Sequence, residues 1–177
     1  MTPKRIVDCS KCPLHFTRHN IVNGVGNAKS NIVIVGEAPG NNEDIEGVPF
    51  IGKAGEILED LLASIGIHRC EVYITNLVKC RPPGNRNPSE GEINICSEYL
   101  EEELDVVNPK IIFTLGAVPT KYILGDKFSS MGKLHGTHID AGNRIIIPMY
   151  HPAYALYNRE IIGTMLDDFE KAKEKLK

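Results

Sequence analysis

Strand-like and helix-like segments alternate along this chain after residue 30, and the alternation restricts the fold more than any other feature. Short apolar runs at residues 31–36, 72–78 and 110–116 are typical of buried strands. Between the first two runs, residues 54–66 carry apolar side chains at helical spacing. Strands that alternate with helices favour a parallel sheet covered by helices on both faces. We therefore predict an α/β fold.

Local signals define several of the remaining elements. Gly66 follows the first helical segment and indicates its end. Ser89, followed three residues later by Glu92, predicts a capping box that opens the next helix. Residues 134–152 predict a hairpin that contains the last strand, and residues 167–177 predict a charged C-terminal helix.

Composition is that of an ordinary globular protein. The chain has 177 residues, of which 42% are hydrophobic and 24% charged, and no repeat or linker divides it. We therefore expect a single domain over residues 1–177. The N-terminal sequence MTPKRIVDCSKC lacks an apolar signal core, and no apolar run is long enough to span a membrane, which favours a cytoplasmic protein. Because the net charge is −3, any contact with nucleic acid must use local positive charge.

Residues with chemical potential stand at the ends of the predicted strands, where ligands bind in parallel sheets. Glu37 follows the first strand in the turn GEAPG, Asn76 ends the second, and His151 follows the last. Nearby, Phe50 offers a flat ring on which a planar ligand can stack. Taken singly, each has an ordinary structural explanation: a turn, a capped surface histidine or a core aromatic. Together they describe a pocket suited to a nucleobase, because an asparagine amide can pair with the edge of a base.

A phosphate site is less well supported. Residues 47–54 fit the first part of a P-loop motif, but Ala54 stands where the motif needs a hydroxyl for Mg²⁺. Pro49 also removes one of the amides that would surround a phosphate, and no strand precedes the segment. We therefore expect no nucleotide phosphate to bind at this loop.

Four of the five cysteines have a spacing that favours a metal site. Cys9 and Cys12 form a C-x-x-C pair, and Cys80 and Cys96 follow much later. Four such thiols can hold zinc or an iron–sulfur cluster, and their spacing does not choose between the two. The alternative, a small buried hydrophobic residue, fits Cys70 better than the others.

The motifs as a set resemble the uracil-DNA glycosylase superfamily, in particular its iron–sulfur, thermostable class called family 4. The matching segments are GEAPG, EGVPFIGKAG, YITNLVKCRPPGNRNP and HPAY, in that order, together with the four spaced cysteines. The resemblance extends from Cys9 to about Arg159. It implies a three-layer αβα sandwich with a central four-stranded parallel sheet. It also implies one [4Fe–4S] cluster on Cys9, Cys12, Cys80 and Cys96, bound through an N-terminal cluster-binding segment.

The activity implied is that of a monofunctional DNA glycosylase. Such an enzyme hydrolyses the N-glycosidic bond of uracil in single- or double-stranded DNA and leaves an abasic site, as the first step of base excision repair. The resemblance further implies a monomer in the cytoplasm of a prokaryote, associated with the nucleoid through its substrate. No lysine stands at a motif position for Schiff-base chemistry, so we expect no lyase step.

The resemblance assigns roles to individual residues where the motifs match. Phe50 is expected to stack on the flipped uracil, and Asn76 to hydrogen-bond its polar edge. His151 is expected to donate to the O2 oxygen as negative charge develops there. Glu37 and Asn85 are expected to position the attacking water.

Two positions depart from the better-known uracil glycosylases outside this class. Those enzymes carry Asp and Tyr where this chain has Ala38 and Gly40. Glu37 is the nearest carboxylate that could take over the task of the Asp. The Tyr excludes the 5-methyl group of thymine, and we predict that Glu43 replaces it.

Contacts with DNA are expected to flank the motifs. Tyr154 or Leu156, after the HPAY motif, would fill the space left by the flipped base. Local positive charge for phosphates is available on five side chains, some of which are ordinary solvated surface. These residues are Lys53, Lys79, Arg81, Arg86 and Arg159.

Three alternatives remain open from the residues alone. One is a non-catalytic iron–sulfur or zinc module that uses the same cysteines, although it leaves the strand-end residues unexplained. Another is a phosphohydrolase or nucleotide-binding enzyme on the same α/β layout. The third is a glycosylase that also removes hypoxanthine or another deaminated base.

Overall fold

The computed structural model of the protein describes residues 2–175 and arranges them around one six-stranded sheet. The strands are β1 (Val25–Gly26), β2 (Ile32–Gly36), β3 (Tyr73–Asn76), β4 (Ile111–Leu115), β5 (Ile139–Asp140) and β6 (Ile145–Met149). The α-helices of the described part are α1 (Asn41–Glu46), α2 (Lys53–Ser64), α3 (Glu90–Val107), α4 (Ala117–Leu124), α5 (Met131–Leu134) and α6 (Ile161–Lys173). Short 3-10 helices lie at Pro13–Phe16, Arg69–Glu71, Pro83–Asn85, Gly125–Lys127 and Pro152–Leu156.

Four parallel strands form the centre of the sheet, in the order β3-β2-β4-β6. This confirms the predicted α/β fold with four parallel strands. The total differs, because the two-residue strands β1 and β5 pair antiparallel with the outer strands β3 and β6. Two residues are too few to give an apolar strand signal, although β5 and β6 together form the hairpin predicted for residues 134–152. Very short flanking strands also limit the unpaired edge that a sheet exposes.

Helices cover both faces of the sheet, as predicted. On one face, α2 and α6 pack through residues such as Leu58 and Phe169 against Ile34 of β2. On the other face, α3 packs through Leu100 against Val35 of β2. Alternate residues of one buried strand therefore serve two different hydrophobic clusters, which is the pattern expected of a three-layer sandwich.

The two local helix signals, a capping box at Ser89 and a helix end near Gly66, are confirmed. Ser89 accepts a hydrogen bond from the amide of Glu92 at 3.3 Å, and its own amide donates to the Glu92 carboxylate at 2.7 Å. Helix α2 ends at Ser64, and Gly66 just beyond it has a φ of 79°. A left-handed backbone of this kind suits glycine and stops a helix.

Two helix predictions need correction. The C-terminal helix begins at Ile161, earlier than the predicted residue 167, because Met165, Phe169 and Ala172 bury one apolar face against the core. Residues 176 and 177, which belonged to that prediction, lie outside the described residues. Helix α1 was not predicted at all. No helix of residues 2–175 is both long and apolar enough to cross a membrane.

The register of the parallel strands brings their carboxyl ends to one edge. Gly36 lies beside Asn76, and Leu115 lies beside Met149. The residues that follow these strand ends, including Glu37 and His151, are therefore close together in space.

Candidate active site

A cavity of about 330 Å³ opens at the carboxyl ends of the parallel strands. All residues predicted for catalysis or base binding line it: Glu37, Ala38, Gly40, Glu43, Phe50, Asn76, Asn85 and His151. Five further lining residues were not predicted: Pro39, Ala54, Pro82, Ala153 and Tyr157. The first four lie inside the motif segments, so their positions in the sequence could have indicated that they line the site. Tyr157 lies outside every motif segment, and nothing in the sequence indicated its role.

Asn76 lines this cavity and has an unsatisfied amide oxygen. The residue is 2% exposed, and its Oδ1 atom has no hydrogen-bond partner within the described residues. Buried amide oxygens are normally paired, so an unpaired one at a cavity wall indicates a ligand that donates a hydrogen bond. Gly36 on the neighbouring strand leaves room for this amide, because a Cβ at that position would lie 2.3 Å from Oδ1.

Phe50 forms a flat, rigidly held wall of the cavity. Its φ of 52° is unusual for a bulky residue and requires support from its surroundings. Arg69 supplies that support by donating to the carbonyl oxygen of Phe50 at 2.7 Å and to that of Pro49. The Phe50 ring faces His151 at a centroid distance of 5.8 Å and an interplanar angle of 27°.

His151 is held as a neutral imidazole with a defined tautomer. The backbone amide of Ala153 lies 3.1 Å from its Nδ1, so Nδ1 must be the acceptor. The proton of the neutral ring therefore resides on Nε2, which becomes a hydrogen-bond donor. Burial lowers the pKa of His151 to about 4, although the Glu43 carboxylate acts in the opposite direction.

Glu37 and Asn85 both line the cavity. The Glu37 backbone is anchored by its carbonyl, which accepts from the amide of Val78 at 3.1 Å. Burial raises the pKa of the Glu37 carboxyl. Asn85 has a φ of 56°, and its Oδ1 accepts from Nε of Arg81 at 2.7 Å. The Asn85 amide nitrogen is thereby left as the group that can act on a ligand.

Glu43 fills the space that a side chain at position 40 would need. A Cβ on Gly40 would lie 2.7 Å from the Oε2 atom of Glu43. The Oε1 atom accepts from the amides of Ile51 at 3.0 Å and Gly52 at 2.8 Å. The P-loop-like segment thus already binds a carboxylate of the chain at the start of α2, where a phosphate would otherwise bind.

The prediction that Lys79 binds DNA is wrong. Lys79 is 1% exposed, and its Nζ forms an ion pair with Glu103 at 2.6 Å. An ammonium group enclosed in this way cannot reach a phosphate. Its position after a strand and beside a cysteine carried no signal of burial, because the partner Glu103 is 24 residues away in the chain.

The other four basic residues that were predicted to contact DNA phosphates fall into two groups. Arg81 donates to Asn85 and, at 2.8 Å, to Asn41. Arg86 forms a two-bond pair with Glu92 at 2.7 and 2.8 Å, and this hydrogen bonding lowers the pKa of Glu92 to about 2. Both guanidinium groups therefore order the loop beside the cavity. The remaining two, Lys53 and Arg159, are exposed.

The segment after His151 presents large apolar side chains at the rim of the site. Tyr154 and Leu156 lie on the 3-10 helix Pro152–Leu156 and are 46% and 44% exposed. Tyr157 follows at 89% exposed and also lines the cavity. Exposed apolar groups beside a concave site are typical of a surface that a ligand covers.

The four spaced cysteines line a second, smaller space next to the loop after β3. Cys80 and Cys96 are buried, Cys9 and Cys12 are half-buried, and Cys70 is exposed and lies elsewhere. These cysteines are far apart in the sequence, and the family resemblance implied that they share one site. The fold brings all four thiols to one place. We call Cys9, Cys12, Cys80 and Cys96 the four-thiol site.

Hydrogen-bond donors surround the sulfur atoms of the four-thiol site. The Tyr99 hydroxyl donates to Cys9 Sγ at 3.3 Å, Arg18 to Cys80 Sγ at 3.5 Å and the Lys79 amide to Cys96 Sγ at 3.3 Å. Donors to sulfur stabilise an anionic thiolate cluster. Within residues 2–175, no three His, Cys, Asp or Glu side chains lie close enough together to hold a single metal ion.

Comparison with known proteins agrees with the site. A model of the uracil DNA glycosylase superfamily matches residues 23–177. The type-4 uracil-DNA glycosylase of Sulfurisphaera tokodaii is 46% identical, over 97% of this chain and 81% of the relative. That of Thermotoga maritima is 44% identical over 98% and 92%, and that of Saccharolobus solfataricus 48% over 95% and 82%. The chain therefore belongs to the uracil DNA glycosylase superfamily and groups with its type-4 members.

Proposed function

We propose that this protein is a monofunctional uracil-DNA glycosylase that hydrolyses the N-glycosidic bond of uracil in single- or double-stranded DNA. The observation that carries the proposal is the unpaired amide oxygen of Asn76, a residue that lines the same cavity as a neutral, oriented His151. The names of the type-4 relatives support the same activity.

Base recognition begins with a nucleotide outside the helix, because a stacked base cannot enter a cavity at strand ends. Phe50 then stacks on one face of the base. Asn76 Oδ1 accepts from the N3–H of uracil, and its amide nitrogen donates to O4. Cytosine presents the opposite pattern of donors and acceptors, so it would leave the Asn76 amide oxygen unpaired.

Glu43 excludes thymine in this account. Its carboxylate is held by two backbone amides at the start of α2 and occupies the space above Gly40. A fixed group at that wall leaves no room for a 5-methyl substituent. The absence of a side chain at position 40 is what allows the Glu43 carboxylate to lie there.

Bond cleavage places negative charge on the departing uracil. His151 donates its Nε2–H to the O2 oxygen as this charge develops, and the amides of the GEAPG turn add to the stabilisation. A neutral imidazole suits this role, because the donor is already in place and no proton has to be acquired first. Donors of this kind are typically worth about 10²–10³ in rate.

Water attack requires a carboxylate near the sugar. Glu37 takes this role and accepts a proton from the attacking water, while the Asn85 amide orients the water. Burial raises the pKa of Glu37, which makes it a stronger base than an exposed carboxylate at the same pH. These two side chains take over the task of the Asp that is replaced by Ala38.

The four-thiol site would hold a [4Fe–4S] cluster through Cys9, Cys12, Cys80 and Cys96. When bound, the cluster supplies coordinate bonds that join the N-terminal segment, the loop after β3 and helix α3. The side chains that line the cavity account for base removal without a redox step.

DNA would cover the rim of the cavity. Tyr154 and Leu156 are the candidates that fill the gap left by the flipped base, and Tyr157 extends the same surface. Lys53 and Arg159 provide exposed positive charge for phosphates. The cavity is complete within a single chain, which supports action as a monomer. A DNA substrate would place the enzyme in the cytoplasm beside the chromosome.

A base panel tests the proposal. Labelled oligonucleotides that differ only in one base, uracil, thymine, cytosine or hypoxanthine, are incubated with the purified protein in excess EDTA. Alkali then cleaves abasic sites. We expect cleavage at uracil, in both single strands and duplexes, and none at thymine or cytosine.

The control is Asn76→Ala, which should lose most of the activity on uracil while keeping its fold. Cleavage at hypoxanthine would broaden the substrate range. An intact uracil strand, with protein whose iron content is complete, would overturn the proposed function in favour of a non-catalytic iron–sulfur protein.

A further inference from the structure

Lys79 connects the four-thiol site to the base-binding cavity. Its backbone amide donates to Cys96 Sγ at 3.3 Å, and its Nζ donates to the backbone carbonyl of Asn76 at 2.8 Å. One residue therefore contacts both a predicted cluster ligand and the peptide that carries the base-recognising amide. Neither the predicted mechanism nor the phosphate contacts use this residue.

The Lys79 ammonium group is fully paired. Besides Asn76, it donates to Thr75 Oγ1 at 2.6 Å and to Glu103 Oε2 at 2.6 Å. Three acceptors match the three protons of an ammonium group. The Lys79 ammonium group therefore binds both of the last two residues of β3.

Glu103 links the Lys79 ammonium group to helix α3. Its Oε2 also accepts from the Thr75 hydroxyl at 2.7 Å, and its Oε1 accepts from Tyr73 at 3.3 Å and from the Gly24 amide at 3.1 Å. Glu103 lies on the helix that carries Cys96. Displacement of that helix would therefore move the partners of Lys79.

The cost of burial argues for a positioning role. Taking a charged pair out of water is expensive, and well-packed apolar residues often replace such a pair without loss of stability. Stability alone is thus a weak reason to bury Lys79 and Glu103 at 1% and 6% exposure. Directional hydrogen bonds, which apolar side chains lack, give this pair control over the orientation of Asn76.

We propose that Lys79 is a positioning residue that couples the four-thiol site to uracil recognition by fixing the peptide of Asn76. Lys79 touches neither the base nor the reacting atoms. It holds the end of β3 at a set distance from Cys96, so that the Asn76 amide faces the cavity. The proposal deepens the proposed function and rests on it.

The test uses the double variant K79M/E103Q. Removing both charges avoids an unpaired buried carboxylate, and the glutamine amide oxygen can still accept from Thr75. Three quantities are measured: kcat/KM on a uracil strand, affinity for free uracil by calorimetry, and iron per chain. We expect kcat/KM and uracil affinity both to fall about 10-fold, with iron content unchanged, because small misplacements of binding groups are costly.

The matched control is Arg144→Met. Arg144 donates to the carbonyl of Leu104 at 3.0 Å, so it too is a largely enclosed basic residue that contacts helix α3, but it does not line the cavity. It should leave both kcat/KM and uracil affinity at wild-type values. A K79M/E103Q protein with a lower melting temperature but wild-type uracil affinity would overturn the proposal and leave a purely structural pair.

A milder variant keeps the test decisive if the double variant does not fold. Thr75→Val removes one of the three acceptors of Lys79 with little change in shape. We expect uracil affinity to fall about 3-fold, the size of one weakened hydrogen bond, and an unchanged affinity would overturn the proposal. An inactive wild-type protein would instead count against the proposed function, which separates the two failures.

Discussion

Gly36 and Asn76 are neighbours on adjacent parallel strands, and the amide of Asn76 occupies the volume that a side chain at position 36 would need. A Cβ on Gly36 would lie 2.3 Å from Asn76 Oδ1 and 2.5 Å from the Phe50 ring. Contacts this short do not occur between real atoms, so any side chain at position 36 must displace both groups. The glycine is required by the site and not by its own backbone, whose φ is not positive.

Gly36→Ala should therefore damage uracil removal more than stability. We expect kcat/KM to fall at least about 10²-fold, because the base-recognising amide and the stacking ring both move. The matched control is Gly163→Ala, where a Cβ would meet no atom of the described residues within 4 Å apart from its chain neighbours and the backbone of its own helix. It lies inside helix α6 and should raise stability by about 0.5–1 kcal/mol without changing kcat/KM. Wild-type kcat/KM in Gly36→Ala would contradict the assigned site.

Asn76→Asp should shift base preference. The substitution keeps one oxygen acceptor but replaces the amide donor, so O4 of uracil loses its partner while the amino group of cytosine gains one. We expect the ratio of kcat/KM for uracil to that for cytosine to fall by about 10² or more, since unpaired buried polar groups discriminate strongly. The comparison uses two strands that differ only in the target base. An unchanged ratio would show that Asn76 does not recognise the base edge.

The protonation of His151 predicts how stability depends on pH. The pKa of about 4 in the folded protein lies below the ordinary value of 6.5. Between these values the unfolded chain binds more protons than the folded one, so stability falls as the pH is lowered through this range. At pH 5 the burial of a neutral His151 should cost about 2 kcal/mol relative to neutral pH.

Urea unfolding of wild type and His151→Asn at pH 5 and pH 7.5 measures this contribution. The wild type should lose about 2 kcal/mol more than the variant on acidification. Glu37, whose raised pKa acts in the opposite direction, is present in both proteins and cancels in the comparison. Equal losses in the two proteins would mean that His151 is not buried as a neutral imidazole.

The cysteines allow a matched test of the four-thiol site. Cys80→Ser removes a buried thiol that receives a hydrogen bond from Arg18, whereas Cys70→Ser alters an exposed thiol outside the site. We expect anaerobically purified Cys80→Ser to have greatly reduced iron and acid-labile sulfide per chain. Cys70→Ser should keep the wild-type content. Full iron in Cys80→Ser would remove Cys80 from the ligand set.

The fold could be predicted because its signals are local. Apolar runs and helical spacing locate the central strands and the long helices, and Ser89 with Glu92 marks a helix start within three residues. Helix α1 was missed because a helix of six residues with one apolar side chain, Ile45, has no apolar periodicity. Its cause is tertiary: Asp44 is buried and accepts from the backbone amides of His19 and Asn20, which are distant in sequence.

Most residues of the site could be predicted from the sequence, but their geometry could not. Motif positions placed Asn76 and His151 at one edge of the sheet, since parallel strands share their carboxyl end. The left-handed backbone of Phe50 could not be predicted, because it depends on Arg69 and on the close approach of Gly55. The prediction for Lys79 was wrong for the same reason. A lysine beside motif residues suggests a phosphate contact, and only the folded chain brings Glu103 to its ammonium group.

Identification of the released product shows whether the cavity removes uracil from DNA by hydrolysis. A strand with one uracil is incubated with the iron-replete protein in EDTA, and the small molecules and the strand are analysed by mass spectrometry before any alkali is added. We expect free uracil and an uncleaved strand that carries one abasic site. A strand with its uracil still attached, or one cut without release of the base, would rule out hydrolytic removal of uracil by this cavity.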